Sequence, residues 1–97
     1  MKPRSEKLSH DEVRQRVTTL PGWSLRDGAL FREIRFGSFA EAFGFMASAA
    51  IVAQELDHHP DWTNVYDLVT IRLGSHDVKG ISDRDFTLAE RMNELLD

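Results

Sequence analysis

With 97 residues, 41% of them hydrophobic and 29% charged, the chain has the size and make-up of one small globular domain. Its formal net charge of −4 argues against a protein built to attract nucleic acid or an anionic membrane, and no such partner is expected. The absence of cysteine removes disulfides, thiolate nucleophiles and every Cys-based metal site.

Residues 1–7 carry no apolar run and read as a flexible N-terminus of a single domain spanning 1–97. No segment approaches the ~20 apolar residues of a membrane span. A cytoplasmic protein is the expectation.

Three helix starts are marked by one device. Ser9 is followed three residues on by Glu12, Ser38 by Glu41, and Ser82 by Asp85. In each, the serine oxygen can accept an orphan backbone N–H, and the acid complements the positive helix end. Leu8 with Val13, and Ile81 with Phe86, add hydrophobic staples to the first and third. The first helix runs from Ser9 to about Thr19.

Trp23–Leu25 and Leu30–Phe36 follow as strands, joined by Arg26-Asp27-Gly28-Ala29, whose Asp-Gly is a hairpin signal. The second helix is the long one. Phe39, Ala42, Phe43, Met46, Ala49, Ala50, Ala53 and Leu56 predict its packed face, with Phe45, Ile51 and Val52 outside that stripe. A helix apolar on two sides has two things to pack against, here a sheet and a partner subunit. Trp62–Tyr66 and Leu68–Leu73 predict two more strands, with Val69, Ile71 and Leu73 on one side and Thr70 and Arg72 on the other. The third helix carries Phe86, Leu88, Ala89, Met92, Leu95 and Leu96. The expected fold is α+β, a largely antiparallel sheet in the order α-β-β-α-β-β-α.

Three of the four histidines, His58, His59 and His76, fall where the second helix and the last strand should end. Pro60 cannot continue a helix and pushes His59 out of the α region, so the helix should stop near Asp57 or His58. Imidazole, with an unperturbed pKa of ~6.5, is the side chain suited to moving protons near neutrality. Neighbours are ~100° apart on a helix and opposed on a strand, so His58 and His59 should divide the work. Gly74 and Ser75 mark the end of the strand before His76, and Asp85 can hold an imidazole tautomer. His10 reads as a surface residue, and Trp62 and Tyr66, taken singly, as core or interface aromatics. Zinc held by His58, His59, His76 and an Asp is the rival reading, although metal-binding helices present His at i and i+4 and adjacent histidines fit that poorly. No metal is expected.

At these residues the chain resembles the pterin-4a-carbinolamine dehydratase family. The resemblance rests on His58-His59-Pro60, Trp62, Asn64-Val65-Tyr66, Val69 to Leu73, Ser75-His76-Asp77, Gly80 and Arg84-Asp85, with Gly22-Trp23, Phe39 and Ala42 to Met46 upstream. It covers roughly residues 8–96. It implies a four-stranded antiparallel sheet with helices on one face, assembled as a homodimer or homotetramer. It implies dehydration of a 4a-hydroxytetrahydropterin to the quinonoid dihydropterin, recycling the cofactor of aromatic amino acid hydroxylases, with no metal or organic cofactor. It implies His58, His59 and His76 as active-site histidines supported by Asp85. Asp57, Gly74, Ser75 and Arg84 fall where the family contacts the pterin, and Trp62 and Gln54 are further candidate substrate contacts. Gln54 is a departure: the family commonly has an acid there, and Glu55 next to it points ~100° away. The family also contains a dimerisation cofactor of a homeodomain transcription factor, so an interaction module is the alternative function, and a dehydratase of another pterin pathway is a further one.

Overall fold

Serine caps set the helix starts, but each of the three is wired differently. Ser9 Oγ accepts from the Glu12 N–H at 3.2 Å and Glu12 Oε1 accepts from the Ser9 N–H at 3.2 Å, so the first box closes fully and opens α1, His10–Val17. Ser38 Oγ accepts from the Glu41 N–H at 3.1 Å, while the Glu41 carboxylate turns to the Gly37 N–H at 3.2 Å; α2 then runs Phe39–Leu56. At α3, Asp83–Leu96, the box is shifted: Asp85 Oδ2 accepts from the Ser82 N–H at 3.0 Å, the Asp85 N–H goes to the Ser82 carbonyl, and Ser82 Oγ accepts from the Arg84 N–H at 3.3 Å instead. The hydrogen of the Ser82 hydroxyl is used elsewhere.

The computed structural model describes residues 6–96, and the expectation for residues 1–5 lies outside them. Lys7 lies over Gly80, where an added Cβ would stand 2.7 Å from Lys7 Cε. Among the described residues, the strands are β1 Ser24–Arg26, β2 Ala29–Arg35, β3 Asp61–Val65 and β4 Leu68–Leu73. They form one antiparallel sheet in the order β1-β2-β4-β3. The β1–β2 turn has Asp27 at φ 51° and Gly28 at φ 77°, the paired left-handed residues of a type I′ hairpin. The element order is the one expected, α-β-β-α-β-β-α, and the class is α+β.

Alternation along β4 decides which face is covered. Val69, Ile71 and Leu73 are fully buried, whereas Thr70 and Arg72 are only half-buried. Register places Leu30 opposite Leu73, Arg32 opposite Ile71 and Ile34 opposite Val69. Leu88, Ala89 and Met92 of α3 and Ala42 and Ala49 of α2 join the same core with no exposed surface.

The packed face of α2 departs from expectation. Ala42, Phe45, Ala49, Val52 and Ala53 are buried, with Met46 and Leu56 partly so, while Phe39, Phe43 and Ile51 are exposed by 49%, 57% and 63%. Phe45 and Val52 belong inside, and Phe39 and Phe43 outside. A helix apolar on both sides offers two stripes of similar strength, and periodicity alone does not rank them. For the same reason α2, 18 residues with a mean hydropathy of 1.2, is long and apolar enough by length and composition to cross a membrane, contrary to the expectation that no segment approaches that. Here one of its sides is part of the core.

Leu30 and Leu25 face each other across β1 and β2, the first fully buried and the second 39% exposed. Leu30→Ala should cost about 2–5 kcal/mol, and Leu25→Ala under ~1 kcal/mol. Urea denaturation of the two variants measures the difference.

Candidate active site

Helix α2 ends on a left-handed residue. Asp57 takes φ 51°, its N–H donates to the Gln54 carbonyl at 3.2 Å, and the His58 N–H donates to the Ala53 carbonyl at 3.0 Å. This is a Schellman closure with Asp in the usual glycine place, a residue type that tolerates the left-handed region. The reversal folds His58 back into the protein, leaving the residue only 8% exposed, while Asp57 and His59 stay exposed.

What receives His58 is Asp85, fully buried in the first turn of α3. His58 Nε2 lies 2.5 Å from Asp85 Oδ1. The other carboxylate oxygen, Oδ2, accepts from the Ser82 N–H at 3.0 Å and the Ser75 hydroxyl at 2.8 Å. An ionised carboxylate only accepts, and with Oδ2 already taking two donors the Nε2 of His58 supplies the third. Nδ1 of His58 has no hydrogen-bond partner among the described residues. No buried side-chain nitrogen or oxygen there lacks one, so Nδ1 reaches the surface. One imidazole nitrogen is thus anchored and the other offered outward.

His76 sits on a separate device. Beyond β4, Ser75 and Gly80 pair as a small antiparallel bridge, with the Ser75 N–H to the Gly80 carbonyl at 2.7 Å. Between them runs the 3-10 turn His76–Val78, closed by Lys79 at φ 54°. Arg84 grips the turn from α3, donating to both carboxylate oxygens of Asp77 at 2.7 and 2.9 Å. His76 is exposed on this braced turn.

Of the residues singled out in the sequence, His58, Ser75, Asp85 and Arg84 fall in one bonded cluster, and Gly74 leads into it. His59, Asp57 and Gln54 are exposed around the end of α2. Trp62 is half-buried at the edge strand, on the same side of the sheet as Ile71 and packed against the core. Among the described residues no three His, Asp or Glu side chains gather to hold a metal ion. Two cavities, of about 640 and 240 Å³, open elsewhere, one beside Leu8, Leu25 and Ile81 and one beside Pro21 and Phe86, and none of the three histidines lines either. Ser82 and Asp77 join the cluster without having been singled out for it. The Ser82–Asp85 spacing was a visible signal, but it spoke only of a helix cap.

The chain is similar to known proteins along nearly its whole length. The family model described as pterin 4 alpha carbinolamine dehydratase matches residues 6–95. A protein of Prochlorococcus marinus (strain MIT 9303), provisionally named pterin-4-alpha-carbinolamine dehydratase, is 50% identical over 88 residues, spanning 91% of this chain and 92% of its own. One of the same provisional name from Afipia carboxidovorans is 50% identical over 90 residues, spanning 91% and 90%. The crystal structure of a transcriptional coactivator/pterin dehydratase from Brucella melitensis superposes with a TM-score of 0.90 at 38% identity, covering 93% of this chain and 98% of that one. A pterin dehydratase-like protein identified as a RuBisCO assembly factor of the alpha-carboxysome shares the fold, with a TM-score of 0.62 at 23% identity over 75% of this chain and 84% of its own. The chain belongs to the pterin 4 alpha carbinolamine dehydratase family.

Removing the Asp85 carboxylate strands three buried donors at once. Asp85→Ala should therefore destabilise the protein by about 3–5 kcal/mol, measured by urea denaturation, well beyond an exposed control such as Asp83→Ala.

Proposed function

We propose that this chain is a 4a-hydroxytetrahydropterin dehydratase, eliminating water by general acid–base catalysis to give the quinonoid dihydropterin. The observation that carries the reading is the His58–Asp85 pair, 2.5 Å apart and buried, with the free imidazole nitrogen at the surface. It stands in a chain of a dehydratase family.

Loss of water from the carbinolamine breaks a carbon–oxygen bond. The leaving oxygen takes a proton from an acid, a ring N–H gives one to a base, and a carbon–nitrogen double bond forms. No net proton is gained or lost, so one charged and one neutral imidazole suffice. His58, through Nδ1, and His76, on its braced turn, are the proposed proton-transfer pair. His59 holds the pterin ring, with Asp57, Gly74, Ser75, Arg84, Trp62 and Gln54 as the other proposed substrate contacts. In this reading the product returns to an aromatic amino acid hydroxylase, the protein is cytoplasmic, and no resident cofactor takes part.

The exposed side of α2 supports self-association. Phe39 and Phe43 lie side by side with ring centroids 6.0 Å apart and planes tilted by 42°, and exposed Ile51 lies two turns on. A homodimer or homotetramer is the proposed assembly. A non-catalytic interaction module remains the second reading, favoured by this same surface and by the coactivator description of the Brucella melitensis protein.

The test is turnover of chemically generated 4a-hydroxytetrahydropterin. Wild-type protein should accelerate dehydration. His58→Ala and His76→Ala should each lose about 10²–10⁴-fold in kcat, and His59→Ala should chiefly raise KM, about tenfold. Near wild-type turnover in both the His58 and His76 variants would contradict the reading, and no turnover in the wild type would favour the module.

A further inference from the structure

Behind the His58–Asp85 pair lies a hydrogen-bond chain that a helix cap does not require. Ser75 and Ser82 are both buried, at 2% and 0% exposure, with their hydroxyl oxygens 2.7 Å apart. Each hydroxyl has one hydrogen, so the directions follow by counting. Ser75 gives its hydrogen to Asp85 Oδ2. The hydrogen between the two serines must then come from Ser82. With its hydrogen committed, Ser82 Oγ accepts, and its donors are the backbone N–H and the Nε–H of Arg84, each at 3.3 Å.

The chain is therefore polar in one sense from Arg84 as far as Asp85, where the His58 Nε2–H donates from the opposite side. It runs from the Arg84 guanidinium through Ser82 and Ser75 and ends on the Asp85 carboxylate. Such aligned donors polarise one another, and a cation at the head strengthens each step. The same Arg84 holds Asp77, next to His76, through a two-pronged pair. One side chain thus touches both halves of the candidate site, at the turn that bears His76 and through two hydroxyls at His58.

We propose that Ser82 is a positioning residue for the dehydration. Its hydroxyl, backed by Arg84, fixes the Ser75 hydrogen on Asp85 Oδ2, keeps that carboxylate an acceptor only, and so locks His58 as the Nε2–H tautomer with Nδ1 bare at the surface. If the Ser82 hydroxyl is missing, Ser75 loses the donor that orients it, and its bond to Asp85 Oδ2 is no longer backed by Arg84. The Asp85 carboxylate is then held less firmly on its Oδ2 side, and the imidazole it anchors through Oδ1 is no longer confined to one tautomer. This inference rests on the dehydratase reading for its kinetic consequence but not for its structural one.

The experiment reads the two separately. Ring ¹⁵N–¹H correlation spectra of the resting protein, at a pH where the imidazole is neutral, report the His58 tautomer without any substrate. Wild type should show Nε2–H alone. Ser82→Ala should show both tautomers exchanging, with kcat down about tenfold and KM within twofold. Ser75→Ala, which cuts the next link, should show the same mixture and serves if Ser82→Ala does not fold. A wild-type ring protonated at Nδ1, or a folded Ser82→Ala or Ser75→Ala protein that keeps a single Nε2–H tautomer, overturns the proposal. If the spectra change as expected but no variant, nor the wild type, turns over the carbinolamine, the positioning role stands and the dehydratase reading fails.

Discussion

The buried carboxylate of Asp85 is the constraint around which the rest is arranged. An ionised group with no exposed surface costs several kcal/mol unless its lone pairs are met. Here the donors come from three places in the chain: His58 after α2, Ser75 after β4 and Ser82 before α3. All three element ends must therefore converge for the fold to close. Burial supplies most of the stability, through Leu30, Val69, Ile71, Leu73 and the helix residues above them. Asp85 supplies the specificity of the end where the histidines are. It also turns a structural necessity into a chemical one, because the imidazole that meets it is held by one nitrogen.

The two adjacent histidines illustrate how sharply a chain reversal divides neighbours. Asp57 in the left-handed region turns His58 inward and leaves His59 outside. A straight continuation of α2 would have placed both on the helix surface, about 100° apart. Pro60 and the Schellman closure together prevent that. The family assignment is compatible with more than one role. A relative described as a coactivator and dehydratase and a carboxysome assembly factor share this fold, and fold alone does not choose among such roles. The choice made here rests on the anchored imidazole.

Local signals carried the architecture. The Ser9, Ser38 and Ser82 starts, the Asp27-Gly28 turn, the alternation of Val69, Ile71 and Leu73, and Pro60 were legible because each acts within a few residues of itself. The face of α2 was not. Phe45 and Val52 are buried while Phe39 and Phe43 are exposed, and that choice depends on where the sheet lies. The histidines were legible as a group, from residue type and from position at element ends. The burial of Asp85 was not, because a capping acid has the same sequence signature whether solvent or an imidazole stands beyond it. The part Ser82 plays beyond the helix start was hidden for a related reason. Its expected cap bond to the Asp85 N–H does not form, and the hydroxyl is directed toward Ser75 by contacts between segments distant in space until the chain folds.

The central claim is that a carboxylate at position 85, and not merely a hydrogen-bonding side chain of that shape, sets the anchored imidazole for proton transfer. Asp85→Asn tests it most directly, because the amide keeps the shape but must present a donor to the Ser75–Ser82 side or to the His58 side. Dehydration of the 4a-hydroxytetrahydropterin by this variant, compared with wild type at matched folded fraction, is the measurement. The account predicts a fall in kcat of about 10²-fold or more, with the thermal transition still cooperative. An Asp85→Asn protein that turns over within a few-fold of wild type would contradict it.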